Sequence, residues 1–213
     1  MSKVTVIDYG VGNLLSAARA LEYCGAVVEV TSDPERICRA ERLVLPGVGA
    51  FGDCVKELVS RRIDGAIREF AASGRPLLGI CVGMQILFER GTEFGEHEGL
   101  GLLSGTILEI SRVKAGGTVR KIPHIGWASL VLAPGRTERR DDILSTIRTA
   151  DAVYFVHSYH AVPTQADSII ATADYQGATI CAAVANKNIF GCQFHPEKSG
   201  PVGIRILDSF LRL

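Results

Sequence analysis

Pro76-Leu-Leu-Gly-Ile-Cys-Val-Gly-Met-Gln85 is the stretch on which the fold turns. Residues 76–80 form an apolar run of strand length, and 82–90 read as a helix. Between them, Gly79-Ile-Cys81-Val-Gly83 has the pattern of a nucleophile elbow. The strand-to-helix turn in such an elbow is tight, so its flanking positions must lack a Cβ. It lifts the thiol above a sheet at a helix N-terminus, where free backbone N–H groups and the helix dipole favour a thiolate. The N–H of Val82 would then face a developing oxyanion. A buried structural cysteine between two packing glycines has the same letters, so the surroundings must decide.

Upstream of this stretch, strands and helices alternate. The β-branched run 3–8 stops at Tyr9-Gly-Val-Gly-Asn13. Leu14, Leu15, Ala18, Leu21 and Tyr23 then recur at helical spacing as far as Gly25. Residues 26–31 read as a second strand. Asp33-Pro34 reads as an N-cap with proline at the first helical position. Residues 42–45 read as a third strand ending at Pro46-Gly-Val-Gly49, and 53–70 as a helix. Strands joined by helices predict βαβ units and a parallel sheet, whose ligands bind at the carboxyl ends of the strands. Three glycine-rich breaks lie at such ends: after Asp8, after Leu45 and around Cys81.

Downstream, short strand-like runs dominate, at 105–110, 118–122, 152–156 and 169–173. Residues 178–185 and 189–194 form a hairpin pattern around Asn186-Lys-Asn188. A helix over 201–213 closes the chain, with Val202, Ile206, Phe210 and Leu213 on one face and Leu207 and Leu211 widening it. Residues 136–142 read as a charged, exposed loop. There is no repeat or linker. The expectation is a single α/β domain over 1–213, with a mixed, largely parallel sheet flanked by helices.

Composition narrows the function classes. The chain has 213 residues, 47% of them hydrophobic, enough to bury a core without disulfides or metals. Lys plus Arg and Asp plus Glu both number 23, so the formal net charge is zero, which argues against a general nucleic-acid binder. No window reaches the ~18 apolar residues of a membrane span, and the N-terminal apolar run is too short for a signal peptide. The six cysteines lie at irregular spacings with no C-x-x-C, as reduced thiols in a cytoplasmic protein would. No metal or cofactor is expected.

A thiolate nucleophile needs a histidine oriented by a third group. In Gln193-Phe-His195-Pro-Glu197 the histidine directly follows a strand, and the carboxylate can reach back to it across a tight turn. The Pro46–Gly49 loop lacks the lysine of a P-loop, and Gly10-Val-Gly12 lacks the third glycine of a dinucleotide fingerprint. Both loops fit ordinary tight turns, and the first fits equally a peptide N–H turned to an oxyanion. Trp127, the one tryptophan, fits a core anchor or an interface hot spot.

Gly79-Ile-Cys81-Val-Gly-Met-Gln85 together with Phe194-His195-Pro-Glu197 resembles the class I glutamine amidotransferases. Asp8-Tyr-Gly-Val-Gly-Asn13, Pro46-Gly-Val-Gly49, Pro123-His-Ile-Gly-Trp127 and Val156-His-Ser-Tyr159 are similar to the glutaminase subunits of imidazole glycerol phosphate synthases. The resemblance implies a flavodoxin-like α/β fold and a Cys81-His195-Glu197 triad. It also implies that Gln85, Glu93, Ser158 and Tyr159 bind glutamine and that Gly47, Val48, Gly49 and Val82 serve the oxyanion. The implied partner is a (β/α)8-barrel cyclase subunit in a heterodimer. That partner receives ammonia and makes imidazole glycerol phosphate in histidine biosynthesis. Tyr9, Asn13, Trp127 and Tyr154 correspond to interface or tunnel-mouth positions. The same resemblance admits a glutaminase that feeds another synthase, such as one making amidino sugars. It also admits a non-catalytic regulatory subunit.

Overall fold

The computed structural model describes residues 1–114, 116–134, 142–148 and 150–213. Its first half alternates as the sequence predicts: β1 (Lys3–Ile7), α1 (Leu14–Tyr23), β2 (Val27–Thr31), α2 (Pro34–Arg39) and β3 (Leu43–Gly47). Two helices follow, α3 (Phe51–Ser60) and α4 (Ile63–Ala72), then β4 (Leu77–Cys81) and a single turn of helix, α5 (Val82–Gln85). Next come β5 (Phe88–Gly91), β6 (His97–Glu98), β7 (Leu103–Glu109), β8 (His124–Ser129), β9 (Val131–Leu132), β10 (Ala152–His157) and β11 (Tyr159–Pro163). The chain closes with β12 (Ile169–Tyr175), β13 (Ala178–Asn186), β14 (Ile189–Cys192) and α6 (Gly200–Leu211).

The central sheet has eight strands in the order β2-β1-β3-β4-β14-β13-β12-β9. The first five run parallel, and β13, β12 and β9 add antiparallel. Fully buried β3 and β4 occupy its middle, as continuous apolar runs in a parallel sheet should. A four-stranded sheet, β11-β7-β5-β6, and a two-stranded ribbon, β10-β8, stand beside it. Helix α1 packs with α6, and α4 with both α2 and α3. Buried apolar side chains from both halves of the chain form one continuous cluster.

The most consequential pairing is β14 with β4. They run parallel, with Cys192 opposite Ile80. Their carboxyl ends therefore meet at one edge of the sheet, beside those of β1 and β3. Residues far apart in sequence, just after Ile80 and just after Cys192, become neighbours there.

Three expectations change. The helix over 53–70 is two helices, broken where Arg62 takes φ +59°. Leu58 and Ile63 are both buried yet five residues apart, so a straight helix would point them about 140° away from each other. The helix over 82–90 ends at Gln85, because Phe88 pairs with Leu103 of β7 and pulls the chain into a strand. Residues 118–122 form no strand beyond a bridge from Val119 to Val113. Arg120 ties that segment instead, reaching the carbonyls of Ser111, Tyr175 and Gln176. The charged stretch 136–142 lies outside the described residues, except for Asp142, which is buried.

Candidate active site

Cys81 sits between β4 and α5 with φ +54° and ψ −115°, a backbone conformation costly for a residue with a side chain. It is held there by crowding. A Cβ on Gly83 would come within 1.8 Å of the Leu45 carbonyl oxygen, so α5 presses its backbone directly onto β3. The thiol is 3% exposed and lies 4.0 Å from the Val156 carbonyl and 3.9 Å from the Gln193 amide nitrogen.

His195 leaves the end of β14 and is anchored by its backbone. Its N–H donates to the Tyr154 carbonyl at 3.0 Å, and its own carbonyl accepts from the Ser199 hydroxyl at 2.6 Å. One turn of 3-10 helix, Pro196–Lys198, carries Glu197 back beneath the ring. Gly203 of α6 lies so close to this turn that a Cβ would stand 1.8 Å from the Pro196 oxygen. The Glu197 Oε1 meets His195 Nδ1 at 2.8 Å, and both side chains are 2% exposed.

A carboxylate only accepts, so Nδ1 carries a proton, and Nε2 is the nitrogen left to exchange a proton with the thiol. Nε2 has no hydrogen-bond partner of its own within the site. Burial works against the imidazolium. Interaction with the Cys81 thiol and with Glu197 outweighs it and raises His195 to about 9.

These groups open onto a cleft of about 290 Å³. Val48, Gly49, Val82, Gln85, Glu93, Ser158 and Tyr159 line it with Cys81 and His195, so most of the residues expected to bind substrate or oxyanion share one wall system. Gly47 lies apart, in a small void behind His195 and Glu197 that it shares with Asn13. Gln85 is buried and its amide nitrogen donates to the Tyr159 carbonyl and to Gln193 Oε1, both at 3.0 Å. Glu93 accepts from the Phe51 N–H at the start of α3 at 2.9 Å. The Pro46–Gly49 loop is held by its carbonyls: Tyr9 Oη donates to Pro46 and the Cys54 thiol to Val48.

The interface expectations divide. Trp127 is 58% exposed and packs edge-on against Tyr154, its partner across the β8–β10 ribbon, so it points outward and is no core anchor. Tyr9 is corrected: it is 0% exposed, covered by the Pro46–Gly49 loop, and has no surface to give a partner. Sequence reasoning passed over Pro123, Val156 and His157 as cleft residues and Gln193 beside the thiol. All four lie within stretches it quoted: Pro123–Trp127, Val156–Tyr159 and Gln193–Glu197.

The family model for class-I glutamine amidotransferases matches residues 5–212. Imidazole glycerol phosphate synthase subunit HisH 1 of Legionella pneumophila (strain Lens) is 48% identical over 213 residues, all of both chains. The HisH subunit of Salinibacter ruber is 46% identical over 210 residues, 98% of this chain and 94% of its own. Among solved structures, PurLQS from Thermotoga maritima superposes with a TM-score of 0.73 at 24% identity, over 100% of this chain and 99% of that one. A putative GMP synthase subunit from Thermoplasma acidophilum gives 0.70 at 19% identity, over 100% and 93%. The solved structures share the fold, the HisH subunits share nearly half of the sequence along its whole length, and the chain belongs to the class-I glutamine amidotransferase family.

Proposed function

We propose that this chain hydrolyses L-glutamine to glutamate and ammonia and passes the ammonia to a (β/α)8-barrel cyclase subunit that makes imidazole glycerol phosphate in histidine biosynthesis. The 2.8 Å contact from His195 Nδ1 to Glu197, beneath a thiol strained at a nucleophile elbow, carries the reading. HisH relatives near half identity, named as subunits of imidazole glycerol phosphate synthase, support this pathway and a synthase as the partner.

In this mechanism His195 Nε2 takes the Cys81 proton and Sγ attacks the side-chain amide carbon of glutamine. The carbonyl π pair moves to oxygen, where the Val82 N–H and a peptide N–H of the Gly47–Gly49 loop receive the negative charge. The C–N bond then breaks, His195 returns its proton to the departing nitrogen, and a thioester and ammonia result. Water, deprotonated by His195 Nε2, attacks the thioester carbon, and the C–S bond breaks as His195 returns that proton to sulfur. Glutamate leaves and the thiol is restored. Glu197 holds the ring tautomer throughout. Gln85, Glu93, Ser158 and Tyr159 seat the amino-acid end. The chain acts as one domain, and its free thiols suit a reducing cytoplasm. No helix among the described residues is long and apolar enough to cross a membrane.

The test mixes the chain with the cyclase partner, following glutamate release and product formation. Cys81→Ala is expected to lose glutamine-dependent turnover while added ammonium still supports the partner's reaction. Glutaminase activity retained in Cys81→Ala overturns the assignment. Failure of the cyclase to pair with an otherwise active glutaminase points to another synthase as the acceptor.

A further inference from the structure

One residue joins two sheets at the wall of the cleft. Strand β10 ends at His157 in the ribbon with β8, and β11 begins at Tyr159 in the sheet with β7, leaving Ser158 as the whole connection. On its β11 side this corner is held by one backbone bond, the Ile110 N–H donating to the Ser158 carbonyl at 2.8 Å. The Tyr159 carbonyl adds a second restraint, because two side chains share it. Gln85 Nε2, from the helix behind the nucleophile, donates to it at 3.0 Å. His157 Nδ1 lies 2.8 Å from the same oxygen.

A carbonyl only accepts, so Nδ1 of His157 carries a proton. The ring is neutral, since burial above all, with the nearby imidazoles of His124, His160 and His195 adding to it, lowers His157 to about 3. Its Nε2 is therefore bare and accepts from Nδ1 of His124 at 3.2 Å. His124 is itself lowered to about 4 by burial, and is stacked between Phe155 at 4.7 Å and Tyr175 at 4.0 Å. Each ring keeps its proton on Nδ1, and each hydrogen bond points the same way, towards the cleft.

We infer that His157, seated against His124, is a positioning residue for glutamine. It clamps the corner at Ser158 through the Tyr159 carbonyl and so sets the gap between the wall 156–159 and the Cys81 thiol across which the substrate lies. This rests on reading the cleft as a glutamine site.

Asparagine at 157 places an amide nitrogen where Nδ1 stands, whereas glutamine places one near Nε2. In the complex with the cyclase partner, His157→Asn keeps the KM for L-glutamine within about threefold of the parent. His157→Gln raises it about tenfold, with kcat in both variants within about threefold. Equal KM values for the two variants overturn the inference. Nitrogen NMR of the ring in the unsubstituted chain tests it without turnover and decides it alone if a variant fails to fold. His157 is expected as the Nδ1–H tautomer, without titration between about pH 5.5 and 8. An Nε2–H tautomer or an imidazolium in that range overturns it. Absence of glutaminase activity in the unsubstituted complex counts against the glutamine reading instead, and the ring tautomer then still judges the clamp.

Discussion

His195 is pulled in opposite directions, by a dry environment that disfavours its charge and by two partners that favour it. The partners prevail, and the folded value of about 9 lies above the ordinary one near 6.5. The folded state therefore holds this proton more tightly than the unfolded chain does. The stabilisation is complete below about pH 6.5 and is lost as the pH rises through about 9. Cys81→Ala removes one of those partners, and His195 is expected to titrate well below about 9 in nitrogen NMR, with a flatter stability profile above neutrality. An unchanged midpoint would show that the thiol does not reach the ring. At this scale the proposed triad was legible because each member sits beside a local signal: glycines flank Cys81, and a proline separates His195 from Glu197. Tyr9 was not. Its letters fit an exposed loop, and only the loop from β3 folding over it puts it inside.

Between elements, the elbow depends on backbone meeting backbone. A methyl group on Gly83 has no flexible side chain to displace, only the Leu45 carbonyl of a fully buried strand. Gly83→Ala is expected to destabilise the fold at or above the upper end of the about 1–3 kcal/mol typical of overpacking, read as a lowered denaturation midpoint. A neutral result would mean that β3 and α5 can part without cost. The parallel half of the sheet was legible from periodicity alone, because each strand there is bounded by a turn or cap. The break at Arg62 carries neither glycine nor proline, and its trace is the five-residue step from Leu58 to Ile63. Residues Ile86, Leu87 and Phe88 suit helix and strand alike, and the choice falls to β7, a partner fifteen residues further on from Phe88.

For the molecule as a whole, the β8–β10 ribbon offers Ile125 and Trp127 to solvent at 59% and 58% exposure on the same side of the site as His195, whose N–H is tied to Tyr154. Under the proposed function, this pair is the surface that the chain offers to the cyclase partner. Trp127→Ala is expected to raise the Kd for the cyclase partner about 30-fold, by calorimetric titration, as loss of an interface anchor does. The thermal midpoint of the free chain should move little, because more than half of Trp127 is already exposed. A Kd that stays put would locate docking elsewhere. The pairing of β14 against β4 also orders events in time. The thiol leaves the ribosome long before its base does, and translation of the residues between them takes on the order of ten seconds. Throughout that interval the nascent chain carries an ordinary cysteine. Only when the last strand slides into the sheet does an imidazole arrive beside it, so no unfinished chain spends the cell's glutamine.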